Sequence, residues 1–551
     1  MRGVSGSEKG MKGISGKEWV LLSEFIKPEA DLSERLGPLK AQLLANRNLG
    51  EEALESRLSR LLPPFGIPNI QEAVELIGSY VKRGKRIVIF GDYDVDGITG
   101  TAILYHLLKK AGARVLPLLP SRKRGYGLTK ELVIKLSRYA DLLITVDNGS
   151  TAVEELSHST IPVIVLDHHN LPEDMPRALM VNPKLGEGGE LREIASSGLV
   201  FYMSALLRRS LELDLDVRNY LHLACMGTVA DVMPMNLINR ILVSNGIRLL
   251  NHVLKGGFHA PGIRFLMERS GIRDEVSSRD IAFSLAPRLN APGRVAKPYV
   301  ALKLLLEDKE EKARVLVERI DRLNQHRRQL SHLAFDKAIQ QAREQSQQSV
   351  IIVKLEDWAG GVAGIVAGRL SALFSKPAVV ISVGKEYSSA SVRGVEGMDV
   401  HSILKRLSHL FVKWGGHASA AGFTIRTENI PEFESLAIPL FSELSSEEGK
   451  LYIDMTLPLC HVDQELYQTI KELEPYGEGF PEPVFLSEPL NLRLVGGSRE
   501  RLMFRVEGFN LLSWDSNING RLPLPGAKPR RIVYQPDRRR PNTLLLVDVE
   551  V

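Results

Sequence analysis

The chain has 551 residues, 44% hydrophobic and 25% charged, with a net charge of +5 and two cysteines, Cys225 and Cys460. That composition excludes a globally disordered or disulfide-stapled chain, and the length exceeds one core, so about two to four domains are expected. No run of roughly 18 apolar residues could cross a bilayer, and a reducing, cytoplasmic setting with no membrane partner is expected.

Residues 1–75 read as a helical arm, in which LLSEFI and ALESRLSRLL are separated by Pro and Gly breaks. From Lys85 the short β-branched runs KRIVIF, RVLPLL, DLLITV and IPVIVLD alternate with the helical stretches ITGTAILYHLLKKAG and TKELVIKLSRY. That alternation predicts a parallel sheet covered on both faces, in an α/β domain over 76–297 whose later part is mostly helical. No Gly or Pro lies between Pro298 and Gly360, and the charged segment from Glu310 to Gln345 predicts one long helix connecting two lobes within 298–349. A second α/β domain over 350–446 is expected from the strands VIIV, AVVIS and SASVRG. The remainder, 447–551, carries LYIDMT, NLRLVG, RLMFRVEG, RIVYQ and TLLLVDVEV, a run of short strands suited to a small OB-fold-like barrel.

The chemistry-bearing signal lies at the ends of three predicted strands. VIF runs into Gly91-Asp92-Tyr93-Asp94-Val95-Asp96-Gly97, ITV into Asp147-Asn148-Gly149, and VIVL into Asp167-His168-His169. Ligands of a parallel sheet sit beyond the carboxyl ends of its strands, so the three clusters converge on one crevice. Carboxylates crowded in this way repel unless cations neutralise them. Each motif alone has a plainer reading: an Asp after a strand often caps a helix, and DxDxDG can open a calcium loop. No Glu stands at the twelfth position from Asp92 or Asp94, which weakens the calcium reading.

GDYDVDGITG, TVDNG, VLDHHN and GTVADVMPM resemble, in order, the four motifs of the DHH phosphoesterases. LAPRLNAPGR, SASVRG, GGHASAAGF and ELEPYGEGFPEPVF extend the resemblance to the RecJ family, with its DHH, DHHA1 and OB-fold domains, over about residues 75–551. The resemblance implies a single-stranded-DNA-specific 5′→3′ exonuclease of DNA repair and recombination, using two Mn²⁺ or Mg²⁺ ions per active site. It places one ion on Asp94 and Asp147 and the other on Asp96, Asp147, His168 and Asp231, with Asp92 a weak ligand or an outer acceptor. His169 would stabilise the transition state or the leaving oxygen, and Asp167 would orient an imidazole. Many superfamily members carry His where this chain has Phe90, which implies a first ion site poorer in ligands. The other readings are a DHH phosphodiesterase of short oligonucleotides or cyclic dinucleotides, and a non-catalytic DNA-binding replication scaffold.

For the substrate, single-stranded DNA with a 5′-phosphate, the expected phosphate-binding groups are Arg288 and Asn290 in a Pro/Gly-bounded loop, with Arg294 beside them. Ser391 and Arg393 form an S-x-R element, and Arg122 is a further cation. Gly415, Gly416 and His417 are expected where a helix begins, small enough for the backbone to approach a phosphate. In the last domain Phe504, Phe509, Trp514 and Tyr534 are stacking candidates or barrel core. The cluster Arg530, Arg531 and Arg538–Arg540 suits phosphates or an acidic protein tail. A single-strand-binding protein or a helicase is the expected class of protein partner.

Overall fold

The computed structural model describes residues 11–120, 127–356, 360–395, 397–443, 449–488, 492–498, 501–514, 518–519, 522 and 530–550. The chain divides into two compact units. The first comprises Glu51–His326 with Leu473–Pro481; the second comprises the residues up to Gly50, Arg327–Glu472 and those from Glu482 onward.

The described residues open with two short strands, and the helix expected in LLSEFI follows at Leu22–Phe25. Strands β1 (Met11–Lys12) and β2 (Glu18–Leu21) pair antiparallel. The four-residue alternation of EWVL is too short to announce itself, and its strand conformation is set by distant partners. Trp19 is buried and donates its indole N–H to Asp548 at 2.8 Å. Helices follow at Ala30–Leu36 and Pro38–Ala45.

In the first unit, β3 (Arg86–Gly91), β4 (Arg114–Leu118), β5 (Leu142–Val146), β6 (Val163–Leu166) and β7 (Leu179–Val181) form an all-parallel sheet in the order β4-β3-β5-β6-β7. Every residue of β5 and β6 is buried, as continuous apolar runs between two helical layers require. Phe90 belongs to that core, packed with Val88, Val133, Leu143 and Val165. After β3 the chain turns one way to β4, and β5 lies on the other side. Ligands gather at such a reversal of strand order.

The segment APRLNAPGR forms the helix Ala286–Val295, preceded by a capping box at Ser277 and a π-helical turn at Ile281–Leu285. The expected loop is therefore corrected. Pro287 falls in the first helical turn, where its missing N–H costs nothing, and Pro292 is accommodated within the helix near its end. The helix Tyr299–Leu305 comes next, and then a single helix of 35 residues, Glu310–Glu344, about 50 Å long at 1.5 Å per residue.

In the second unit, β8 (Ile351–Glu356), β9 (Ala378–Val383), β10 (Tyr387–Arg393), β11 (Phe411–His417) and β12 (Ala420–Arg426) form a mixed sheet in the order β11-β12-β10-β9-β8. GGHASAAGF is thus a β-hairpin and not the expected helix start. Its small residues serve strand packing: Gly416 has φ 145°, and a Cβ there would lie 2.4 Å from the Ala421 backbone.

The remaining strands are β13 (Lys450–Ile453), β14 (Met455–Thr456), β15 (Phe485–Ser487), β16 (Leu492–Ser498), β17 (Arg501–Val506), β18 (Phe509–Ser513), β19 (Arg531–Pro536) and β20 (Thr543–Glu550). Strand β13 pairs in parallel with β2, and the other seven form one sheet in the order β14-β15-β19-β20-β18-β17-β16. Tyr534 and Phe504 are buried core, and the Tyr534 hydroxyl donates to the Leu457 carbonyl. Trp514 is 57% exposed, with the Arg501 guanidinium 4.7 Å from its ring. Arg531 is paired with Glu550, which removes it from the cationic cluster. Among the described residues no helix is long and apolar enough to cross a membrane.

Candidate metal centre

Three adjacent parallel strands deliver the acids. Beyond β3, the Asp92 N–H donates to the Val146 carbonyl, tying the loop to β5. Asp94 then caps the helix Val95–Lys110 by accepting from the Gly97 N–H at 3.1 Å. Gly97 allows that turn to close, because a Cβ there would stand 2.6 Å from the Asp92 nitrogen. Asp96, in the first helical turn, is 1% exposed.

Beyond β5, Asp147 has φ 63°, a left-handed conformation that a non-glycine residue holds only when its surroundings enforce it. Here the enforcement is visible. The Asp147 N–H donates to the Leu166 carbonyl at 2.9 Å, and the Ser196 hydroxyl donates to the Asp147 carboxylate at 3.0 Å. Beyond β6, the Asp167 carboxylate accepts from the backbone N–H of Ser150 at 3.0 Å and of His168 at 2.8 Å. Asp231 comes from elsewhere, at the carboxyl end of the helix Leu221–Ala230.

These groups meet. His168 Nε2 lies 3.3 Å from Asp147 Oδ1, 3.3 Å from Asp231 Oδ2 and 4.0 Å from Asp96 Oδ2. Three sets of side chains each offer atoms within 4.8 Å of one another: Asp92, Asp94 and Asp147; Asp96, His168 and Asp231; and Asp147, His168 and His169. His169 Nδ1 is 2.7 Å from Asp167 Oδ1.

The electrostatics follow from this crowding. Burial and the neighbouring Asp94 push Asp92 up to about 7. Burial together with Asp96 and Asp94 pushes Asp231 up to about 8, and Asp147 is driven well above the usual carboxylate range by burial and the surrounding acids. Burial opposes the charge of His169, yet its hydrogen bond to Asp167 carries it up to about 9, while Asp167 is held far below its ordinary value against the same burial cost. Burial pushes His168 down, towards the neutral imidazole that ligates metals.

The donor set fits divalent cations. His168 Nε2 is buried and makes no hydrogen bond among the described residues, although three carboxylates surround it. Such an atom is costly unless something binds it. Oxygen donors with one imidazole and no thiolate suit Mn²⁺ or Mg²⁺.

Two contributors escaped the sequence reading. The N–H groups of Ser196 and Ser197 donate to the two oxygens of Asp96 at 2.7 and 3.0 Å. The unpaired N–H groups of a helix start, Ser196–Ser210, thus hold that carboxylate. The small polar pair in IASSGLV was the available signal. Gly293 is the other: a Cβ there would lie 2.9 Å from the Tyr93 ring, so the helix Ala286–Val295 packs directly on the Asp92–Asp96 loop.

Of the expected phosphate-binding groups, Arg288 lies on that helix, its Nε 3.4 Å from Asp321 and its Nη1 donating to the Ser284 carbonyl. Asn290 is half-buried on the same helix. In the second unit, the Arg393 Nη2 and Ser391 Oγ stand 3.0 and 3.6 Å from the point where a Cβ of Gly364 would lie, at the start of the helix Ala363–Phe374. Arg393 and His417 both pair with Ala420, from opposite sides of β12. Gly415 and Gly416 precede His417 on the exposed strand β11. Arg122 lies outside the described residues.

The sequence matches the DHH family N-terminal domain over residues 86–228, the DHHA1 domain over 347–443 and the RecJ OB domain over 453–541. It is 32% identical over 520 residues to the single-stranded-DNA-specific exonuclease RecJ of Escherichia coli, covering 87% of this chain and 88% of that one. The fold matches the crystal structure of Thermus thermophilus RecJ in complex with Mn²⁺ at TM-score 0.83 and 29% identity, covering 96% of this chain and 79% of that one. It matches the Mg²⁺ complex of the same protein at TM-score 0.78 and 28% identity, covering 96% and 78%.

Proposed function

The chain belongs to the RecJ family of single-stranded-DNA-specific exonucleases, and from that premise we propose a 5′→3′ direction of hydrolysis on two divalent cations. It is a divalent-metal-dependent exonuclease acting on single-stranded DNA. The observation that carries the two-ion reading is the position of Asp147, shared between an all-carboxylate set with Asp92 and Asp94 and a set with His168 and His169. Asp94 and Asp147, with Asp92 beside them, hold one cation; Asp96, Asp147, His168 and Asp231 hold the other. When bound, the cations supply Lewis acidity, acidifying a water and offsetting charge on the scissile phosphate.

The protein's own groups do the rest. Asp167 fixes the tautomer and charge of His169 through the 2.7 Å contact at Nδ1, leaving Nε2–H to donate to a phosphoryl or departing oxygen. Ser196 and Ser197 keep Asp96 and Asp147 oriented. Arg288 and Asn290 bind backbone phosphates. Ser391 and Arg393 hold the terminal 5′-phosphate at a helix start, with Gly415, Gly416 and His417 along the strand, and this end-recognition sets the direction. A role in repair and recombination fits the substrate, and a single-strand-binding protein or a helicase is the proposed class of protein partner.

Manganese-dependent digestion of 5′- and 3′-labelled single strands, duplexes and dinucleotides tests the reading. Release of the 5′ label first, from long single strands, is expected. Release of the 3′ label first overturns the direction, and turnover of dinucleotides alone overturns the polymer substrate.

A further inference from the structure

Asp231 is the one acid of the centre that no sheet strand delivers. Directly after it stands Val232, with φ 56° and 62% of its surface exposed. A β-branched residue is strained in that conformation and persists only where flanking contacts hold the turn. On the near side, Asp231 N–H donates to the Gly227 carbonyl and Met233 N–H to the Thr228 carbonyl. On the far side, the Asn239 side chain donates to the Pro234 carbonyl at 2.8 Å.

The remaining anchor comes from far along the chain, from Leu473–Pro481, a short piece that belongs to the first unit although the residues on both sides of it belong to the second. Met235 N–H donates to the Glu478 carbonyl at 2.8 Å. Gly477 packs so closely on the Met235 side chain that a Cβ would lie 2.9 Å from its Cγ and Cε. Gly477 and Phe480 exchange backbone hydrogen bonds, so the piece is a closed turn with a definite shape.

Arg240 locks this turn in place. Its side chain is almost completely buried and donates to the carbonyls of Ala53 at 3.0 Å, Pro475 at 2.8 Å and Leu473 at 3.0 Å. Its guanidinium lies 4.0 Å from the Phe480 ring centre. A planar fork with five donors suits that set of carbonyls, and a lysine ammonium does not reproduce it.

We infer that Leu473–Pro481 is a positioning strap for Asp231, fixing through Met235 and Arg240 the strained turn that holds this carboxylate against His168. The inference rests on the metal reading above. Arg240, Met235 and Gly477 are positioning residues, because they act on Asp231 through the turn and stand outside the clustered carboxylates and imidazoles; they set how accurately one ligand is presented.

The test measures Mn²⁺ affinity of the full chain by titration calorimetry, beside melting temperature and single-strand affinity in EDTA. Gly477→Ala adds one methyl against Met235 and is expected to weaken Mn²⁺ binding about 10-fold, the scale of losing an outer support of a metal ligand. Single-strand affinity in EDTA stays unchanged, and Met235→Ala in the same chain returns Mn²⁺ affinity towards the parent value by removing the collision. Arg240→Lys is expected to weaken Mn²⁺ in the same way. Leu266→Ala, a buried change on the separate helix Pro261–Arg269, lowers the melting temperature without moving Mn²⁺ affinity. In the parent protein, Mn²⁺ is expected to slow amide exchange both at Met235 and across Leu473–Pro481. Variants that bind Mn²⁺ like the parent, or exchange at the strap that ignores Mn²⁺, overturn the inference. A parent that binds no Mn²⁺ overturns the metal reading instead.

Discussion

Strands β3, β5 and β6 of the first unit run into Asp92, Asp147 and Asp167, whereas strand β10 of the second unit ends in Ser391 and Arg393. Both sheets carry parallel strands, yet they present opposite charge at their strand ends. Asp96, Asp147 and Asp167 are buried, and hydrogen bonds from backbone N–H groups and the Ser196 hydroxyl hold them in place, because close carboxylates repel otherwise. The basic set lies beside small residues at a helix start and on an exposed hairpin, where a phosphate can approach the backbone. On the proposed function one region holds cations and the other anions, so a change in each should damage a different measurable step.

The largest effect is expected from Asp147→Ala. Hydrolysis should fall roughly 10³-fold or more, as when one member of a group acting as a unit is lost. Single-strand binding in EDTA should survive, and substantial residual turnover in the purified variant would falsify the shared-ligand role.

Metal removal sharpens the contrast through pH. In the metal-free protein Asp92 and Asp231 titrate near 7 and 8, and His169 near 9, all above their unfolded values. Their contribution to stability is therefore full below the unfolded values, near pH 4 for the acids, and is lost as pH rises through the folded ones. The melting temperature in EDTA should fall between about pH 6 and 9, and saturating Mn²⁺ should flatten that slope. A metal-free protein that grows more stable over this range contradicts the crowding argument.

Arg393→Ala is expected to leave Mn²⁺ affinity alone and cost about 1.5–3 kcal/mol of preference for a 5′-phosphorylated over a 5′-hydroxyl strand, the worth of a hydrogen bond to a charged group. Competition between the two labelled strands measures it; an unchanged ratio removes Arg393 from end-recognition. The smallest effect is expected from Asp321→Asn. Asp321 is buried and pairs with Arg269 at 2.9 Å and Arg288 at 3.4 Å, so the change should loosen Arg288 and raise KM about 5-fold, the equivalent of about 1 kcal/mol, leaving kcat within a few-fold.

The parallel sheet was legible in the sequence because KRIVIF, DLLITV and IPVIVLD are unbroken apolar runs, and the same runs point at the acids that follow them. The long helix was legible from the absence of Gly and Pro. The hairpin at Gly415–Ala421 was not, since a Gly/Ala-rich run has no period of its own and its conformation is set by the strand it pairs with. The helix Ala286–Val295 was hidden for the opposite reason, as its two prolines signal a break that the first turn and the last turn both tolerate. Ser196 and Ser197 were missed because their hold on Asp96 runs through backbone N–H groups, leaving the small polar pair itself as the one signal in the sequence. Tyr534 and Phe504 read equally as stacking platforms or core until their burial decided for core.

The contact between Trp19 and Asp548 has a consequence for biosynthesis. Trp19 leaves the ribosome 529 residues ahead of Asp548, so the indole that is buried in the folded protein has no such partner while that stretch is made. The later arrival of Leu473–Pro481 delays completion of the nuclease half in the same way. A nascent chain stalled before that point would carry Asp231 without the contacts that Glu478, Pro475 and Leu473 make to Met235 and Arg240.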